Sequence, residues 1–388
     1  ITINAVNDAP VNTETPAVSG STVYNGTLTA DAGAWNDEKD NAVRDDDIDR
    51  ELSFAYQWQR ADSDGSEATD IEGATGETYT LAAADTGKVV RVEVTVADDG
   101  IGTPESQSTV ANSAWTEVGR ATPALADVAA TGITYGEALA DSDISGTATD
   151  PNTGADIPGT YTFDAPNTHP AVPDANTAEY AYTFAPDDAA NYTEATGAAT
   201  LNVEKATLTV AADDREKVYG EANPELTFDY AGFVPDDDPS VLATAPAAGT
   251  TVDETTAAGV YEDAITVVGG ADENYAFSYV PGDFTVTEAD QTITGLADIA
   301  KAWGDADFAL DGAADSGLPV GYASDAPSVA TVEDGTVHIT GSGEATITAS
   351  QDGNDNWNAA ADVAIALTVT NTAPELQADK TTTVDEDS

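Results

Sequence analysis

The chain has 388 residues, with 71 Asp and Glu against 12 Lys and Arg, a formal net charge of −59, 41% hydrophobic residues and neither Cys nor Met. So anionic a surface repels phosphate backbones and acidic headgroups, which argues against nucleic-acid binding and membrane association. No apolar run approaches the ~20 residues that span a bilayer, and without Cys there are no disulfides, thiolate metal sites or cysteine nucleophiles.

In chain order, residues 1–11 read as the last strand and linker of a preceding domain. The start carries neither Met nor a basic leader with an apolar core, so the chain reads as an internal or processed segment. Within 12–118, Phe54-Ala55-Tyr56-Gln57-Trp58-Gln59-Arg60 reads as a strand with a core tryptophan, and Asp62-Ser63-Asp64-Gly65 as a turn. Short strands at Thr78–Leu81 and Val89–Val96 follow, the second entered through Asp85-Thr86-Gly87-Lys88.

Beyond residue 118 an internal repeat organises the sequence. Tyr135-Gly136-Glu137-Ala138, Tyr219-Gly220-Glu221-Ala222 and Trp303-Gly304-Asp305-Ala306 stand at intervals of 84 residues. An Asn-aromatic pair follows in each period, as Asn191-Tyr192, Asn274-Tyr275 and Asn356-Trp357. Each pair precedes a predicted strand, at 199–203, 283–287 and 365–369. A period of this length suits one small β-sandwich that closes its own core. The glycine is expected to allow a tight turn, and the aromatics to plug the ends of the sandwiches. The register sets domains at 12–118, 119–204, 205–288 and 289–370, and 371–388 begins a following domain. Val203-Glu204-Lys205-Ala206-Thr207-Leu208 passes from strand to strand without Gly or Ser slack, which predicts a restricted angle between neighbours. The fold class is thus all-β: four tandem Ig-like β-sandwich domains arranged as an extended rod.

These motifs carry resemblances. Segment 12–118 is similar to bacterial Ig-like modules, although Val89 stands where a corner tyrosine is usual and Arg91 where a second cysteine is usual. Repeat two, with Ala206–Val210 and Tyr219-Gly220-Glu221-Ala222-Asn223-Pro224, resembles the MBG repeats of bacterial surface proteins. Repeat three, with Ser316-Gly317-Leu318-Pro319-Val320 and Gly353-Asn354-Asp355-Asn356-Trp357, resembles another bacterial Ig-like subtype. Asn7-Asp8-Ala9-Pro10 and Asn371-Thr372-Ala373-Pro374 resemble junctions between cadherin-like repeats. Such strings imply a large secreted adhesin of Gram-negative bacteria, including the RTX type, with an extracellular, cell-surface location and a role in adhesion or biofilm formation.

In an immunoglobulin sandwich the B–C and F–G loops lie at the pole where the chain enters. Here the B–C loop at about 31–51 holds Asp37, Asp45 and Asp47 among other acids, the F–G turn holds Asp98 and Asp99, and the entering linker brings Asp8. Acids converging on one pole repel one another unless a cation intervenes. Hard oxygen donors without Cys, with two His in the whole chain, select calcium over zinc. The spacing Asp45, Asp47, Asp49 is not an EF-hand, because Arg50 and Tyr56 stand where the loop needs Gly and Glu. Catalysis has no constellation behind it: His169 and His338 lack a nucleophile context, and no Gly-rich phosphate loop precedes a Lys. The expected role is a non-catalytic, monomeric extender, stiffened by calcium, whose partners are the neighbouring domains of its own polypeptide. The alternative is a module that binds a glycan or protein, with Pro151–Asn176 around His169 as the candidate surface.

Overall fold

A computed structural model describes residues 7–37, 52–98 and 106–371. It divides into two compact units, 1–206 and 207–388. Among the described residues the regular structure is strand, interrupted by four single-turn 3-10 helices. The chain is all-β, built of Ig-like sheets in tandem. No helix is long and apolar enough to cross a membrane.

In the first unit, the strand Ser53–Ala61 pairs antiparallel with Val89–Ala97 over nine consecutive residues, and Ser108–Asn112 and Thr116–Glu117 extend the sheet. Val89–Ala97 alternates VVRVEVTVA, so its valines face inward and its polar residues outward. The facing sheet is Ala17–Gly20, Thr27–Asp31 and Thr78–Thr80. Between them lies a core of Leu28, Trp58, Leu81, Val90, Val92, Val94 and Val96, each essentially inaccessible. Trp58 is the core tryptophan the sequence predicts, its indole N–H donating to the Gly76 carbonyl at 3.0 Å.

The Asp85 turn is more than a strand entry. Asp85 is fully buried and accepts from the Arg60 guanidinium, from the Tyr79 hydroxyl at 2.6 Å and from the Ala82 amide at 2.7 Å. Burial and the Asp85 carboxylate push the Tyr79 hydroxyl up to about 12, against the opposing pull of Arg60. Arg91, at the position of the absent cysteine, lies 4.5 Å over the Trp115 ring and donates to Gln59.

Farther along the same unit, Gly159–Phe163, Tyr180–Pro186 and Ala195–Ala199 form one sheet, and Ala124–Ala130 pairs with Ile144–Thr149. One expectation changes here. The strand predicted over 199–203 is broken: Ala195–Ala199 and Val203–Glu204 belong to different sheets, and the intervening Leu201 carbonyl accepts from the Asn176 amide. The stretch 151–176, the candidate surface of the binding reading, is largely exposed and is anchored to its segment. Gly159–Phe163 is one of its strands, and the Leu139 and Ala140 amides tie the rest down through Thr168 and Pro166.

In the second unit, Arg215–Val218 runs parallel to Gly282–Thr287, which pairs antiparallel with the long strand Gly259–Ala271. Ile299–Ala302 runs parallel to Val363–Thr370, which pairs antiparallel with Gly343–Ser350. These two arrangements repeat one another, and each has its own core: Ile265, Phe284 and Val286 in one, Ile347, Ile365 and Leu367 in the other. Among the described residues no sheet mixes strands from two of the four segments that the repeat register delimits.

Candidate functional sites: an acidic pole and two aromatic joints

The acidic pole lies at one end of the first segment. Asp98 closes the strand Val89–Ala97; it is 6% exposed, and both its carboxylate oxygens accept from the Gln107 amide, at 3.0 and 3.1 Å. Gln107 in turn donates its side-chain amide to the Asn7 carbonyl. The entering chain therefore meets the segment between Asp98 and Ser108 at Gln107. Asp37 follows the strand Ala34–Asn36, whose Asn36 pairs with Val11, so it borders the same entering segment and is half-buried. Asp8 is exposed. Asp45, Asp47 and Asp99 lie outside the described residues. Among the described residues no three acidic or His side chains stand close enough to hold a metal ion.

One residue that sequence reasoning passed over sits at this pole. Asn7 is 1% exposed, yet neither its amide oxygen nor its amide nitrogen has a hydrogen-bond partner. Leaving such a group unsatisfied costs about 1–3 kcal/mol. The signal was present in the sequence as Asn7-Asp8, but only the burial of Asn7 distinguishes it from other polar linkers.

The repeated motifs build a different site. In all four segments the main-chain amide of an aromatic donates to a carbonyl at or just past the end of the last strand: Tyr24 to Gly119, Tyr135 to Glu204, Tyr219 to Thr287 and Trp303 to Thr370, at 2.8–3.0 Å. The residue after each aromatic has positive φ, at +59° for Asn25, +96° for Gly136, +82° for Gly220 and +97° for Gly304. The tight turn predicted for the glycine is therefore real. Tyr24-Asn25 is its counterpart in the first segment, hidden from motif comparison because Asn, which tolerates left-handed backbone, replaces Gly.

Tyr135 and Tyr219 pack against the cores of their own segments, as the end-plug reading expects, and two of these aromatics also reach a neighbour. Tyr24 meets Tyr192 edge-on at 5.3 Å, and Tyr219 meets Trp357 edge-on at 5.9 Å. Tyr24 and Tyr219 thus pack on the Asn-aromatic pair of the following segment. Such pairs contribute about 0.5–1.5 kcal/mol beyond the area they bury. The Asn side chain bridges the same border: Asn191 accepts from the Thr86 hydroxyl at 2.9 Å, and Asn356 from the Ala258 amide at 2.9 Å.

The opening residues of each of these two following segments are held by the same turn. Ala121 donates to the Asn191 carbonyl and accepts from the Thr193 amide, both at 2.9 Å. Ala289 likewise donates to Asn356 at 2.9 Å and accepts from Asn358 at 2.8 Å. Ala121 is wholly buried and Ala289 is 6% exposed, so a larger side chain at either position has no room.

The first joint carries an additional polar lock. Asp150, 1% exposed, accepts from the Tyr192 hydroxyl at 2.7 Å, from Asn25 of the preceding segment at 2.9 Å, and from the amides of Asn152 and Thr153 at 2.8 and 2.9 Å. Burial pushes the Asp150 carboxyl up, but these hydrogen bonds outweigh it and hold the carboxyl below the usual range. Burial, followed by Asp150, pushes the Tyr192 hydroxyl upward.

Other polar clusters have structural partners. His169 bonds the Gly136 carbonyl, and His338 bonds Asp307 at 2.8 Å. Asp213 lies with Arg215 and Thr227, and Asp237 accepts from the Tyr275 hydroxyl at 2.6 Å. Asn274-Tyr275 serves its own segment here: Tyr275 is 2% exposed against Phe233.

Residues 208–285 match the family described as MBG domain (YGX type), which bears out the resemblance of repeat two. Among curated proteins, none matches the sequence. Among solved structures, the chain is similar to Drosophila N-cadherin EC1-4, at 10% identity over 81% of this chain and 92% of that one, with a TM-score of 0.24. It is also similar to three N-terminal domains of the Highly Immunogenic Outer Capsid protein of bacteriophage RB49, at 10% identity over 93% and 100%, with a TM-score of 0.26. The Bacillus anthracis TIE protein aligns at 10% identity over 94% and 74%, with a TM-score of 0.24. These scores are low, and the fold assignment rests on the sheets themselves. Tandem Ig-like sheets with an MBG-type repeat are consistent with an extracellular, adhesin-type segment.

Proposed function

We propose that the chain is a non-catalytic spacer in a secreted bacterial surface adhesin of the RTX type, a row of four sandwiches at 12–118, 119–204, 205–288 and 289–370. It projects adhesive domains away from a Gram-negative cell in adhesion or biofilm formation. The observation that supports this reading most is the bonding across two borders: Asn25 and Thr86 bond Asp150 and Asn191 of the next segment, and Ala258 and Tyr219 meet Asn356 and Trp357 of theirs. A tether built for flexibility leaves its backbone to water; a spacer that holds distance does not.

Calcium stiffens the N-terminal pole in this reading. Asp8, Asp37, Asp45, Asp47, Asp98 and Asp99 supply the charge, and Asn7 adds a neutral oxygen. The ion would offset the repulsion among these acids and fix the angle at which the chain enters. Solubility follows from the net charge of −59, which counterions screen outside the cell.

Small-angle scattering in millimolar calcium tests the reading. Seven-stranded sandwiches with strands of six or seven residues, four in line with their loops, give a maximum dimension of about 140–160 Å. A compact globule in calcium overturns the spacer.

A further inference from the structure

The four aromatics of the first motif occupy equivalent positions but differ in exposure. Tyr24, Tyr135 and Tyr219 are half-buried, whereas Trp303 is 53% exposed and has no ring partner among the described residues. Everything else about its turn is formed: Trp303 donates to the Thr370 carbonyl at 2.9 Å, Gly304 holds φ at +97°, and Asp305 closes the turn by accepting from the Ala302 amide at 2.8 Å. Exposure of so large a ring on a finished turn has no explanation inside repeat three.

The strand register extends the equivalence. Gly259 pairs with Val286 beside the carbonyl of Thr287, and Gly343 pairs with Val369 beside the carbonyl of Thr370. Ala258, the residue whose amide bonds Asn356, therefore corresponds to Ser342, which is exposed. Trp303 and Ser342 reproduce the two elements, a ring and a donor position, with which Tyr219 and Ala258 receive the Asn356-Trp357 turn.

We infer that Trp303 and Ser342 form the receiving half of a further joint, and that its occupant is the Asn-aromatic turn of an Ig-like module joined after Thr370. The interface is continuous in kind with the two joints already described. A second copy of this chain is a poor occupant, since Tyr192, Tyr275 and Trp357 are all engaged within their own chain. The inference rests on the ring and donor positions of repeat three and not on the calcium reading of the N-terminal pole.

The test inserts a second copy of residues 289–370 after Asn371 in the full chain. Subtracting the emission of the Trp303→Phe variant isolates Trp303 from the other tryptophans. Acrylamide quenching of Trp303 is expected to fall roughly twofold or more on insertion, as the ring passes from exposed to paired. Replacing the Asn-Trp pair of the inserted copy by Ala-Ala should restore the original quenching. In the chain without insertion, Trp303→Ala should leave the melting temperature unchanged; with insertion it should lower it. A parallel insertion of residues 119–204, bearing Asn191-Tyr192, covers the case in which the first insertion does not fold. Unchanged quenching with a folded insert overturns the inference. So does loss of stability in Trp303→Ala without any insert, which would give the ring a role inside repeat three. Concentration-dependent protection of Trp303 in the native chain would overturn the assigned occupant in favour of a second copy.

Discussion

Asn25 offers the sharpest probe of the first joint, because its side chain reaches from one segment to a carboxylate in the next. Asn25→Gly removes the 2.9 Å bond to Asp150 but leaves the backbone free to keep φ at +59°. Glycine relieves roughly 1 kcal/mol of left-handed strain and returns a comparable amount in backbone entropy, so the two nearly cancel. What remains is one hydrogen bond to an ionised group, about 1.5–3 kcal/mol. Asp150 keeps three other donors, which places the loss near the lower end, about 1.5–2 kcal/mol. For a cooperative unit of this size each kcal/mol moves Tm by about 2–4 °C, so calorimetry at neutral pH should show a drop of roughly 3–8 °C. The pH dependence follows from the sign of the Asp150 shift. Its folded pKa lies below the unfolded value of about 3.9, so the stabilisation is fully present above that value and is lost as pH falls through the folded pKa. The penalty of Asn25→Gly should therefore shrink in strong acid. A drop under about 1 °C at neutral pH, or the same drop in acid, would refute the lock.

Further outcomes follow from other buried groups. Asp85→Ala strands Arg60 and the Tyr79 hydroxyl, and should cost about 3–5 kcal/mol in chemical unfolding followed by Trp58 emission; a loss under about 1 kcal/mol contradicts it. Lys217, 5% exposed, donates to the carbonyls of Glu221 and Asp253, so Lys217→Met should destabilise repeat two by about 1.5–3 kcal/mol, read from its calorimetric transition. Calcium at a hundred times its dissociation constant should stabilise the first segment by about 2.7 kcal/mol over chelator. Asp98→Asn should weaken that gain; identical melts in calcium, magnesium and chelator would remove the metal from the account.

Much of the fold was legible in the sequence for a physical reason. Alternation in Val89–Ala97 and in Gly343–Ser350 reports one buried face per strand, and Trp58 lies where the Tyr-Gln-Trp pattern places it. The 84-residue spacing identified the repeated turns because positive φ demands Gly or Asn at one position. The partnering of those turns was not legible. Spacing within a repeat shows that two motifs recur together, but not whether they meet inside one period or across the border to the next. Tyr219 and Trp357 are separated by more than one period, so only the packing reveals that they touch. Small residues at Ala121 and Ala289 were the available signal, and in a chain this rich in alanine they do not stand out. At the N-terminal pole the acids were legible by charge, while the buried amide of Asn7 carries no charge to notice.

The absence of cysteine permits the most direct test of the joints, since two introduced thiols can be spin-labelled without background. Thr266 and Thr331 are exposed strand residues on either side of the joint between Tyr219 and Trp357. Double electron–electron resonance on Thr266→Cys/Thr331→Cys should give a single narrow distance distribution that is the same in calcium and in chelator. Adding Asn356→Ala and Trp357→Ala should broaden it while both sandwiches stay folded. A broad distribution in the parent chain, or no broadening on removal of the Asn-aromatic pair, would contradict the claim that these motifs hold neighbouring sandwiches together.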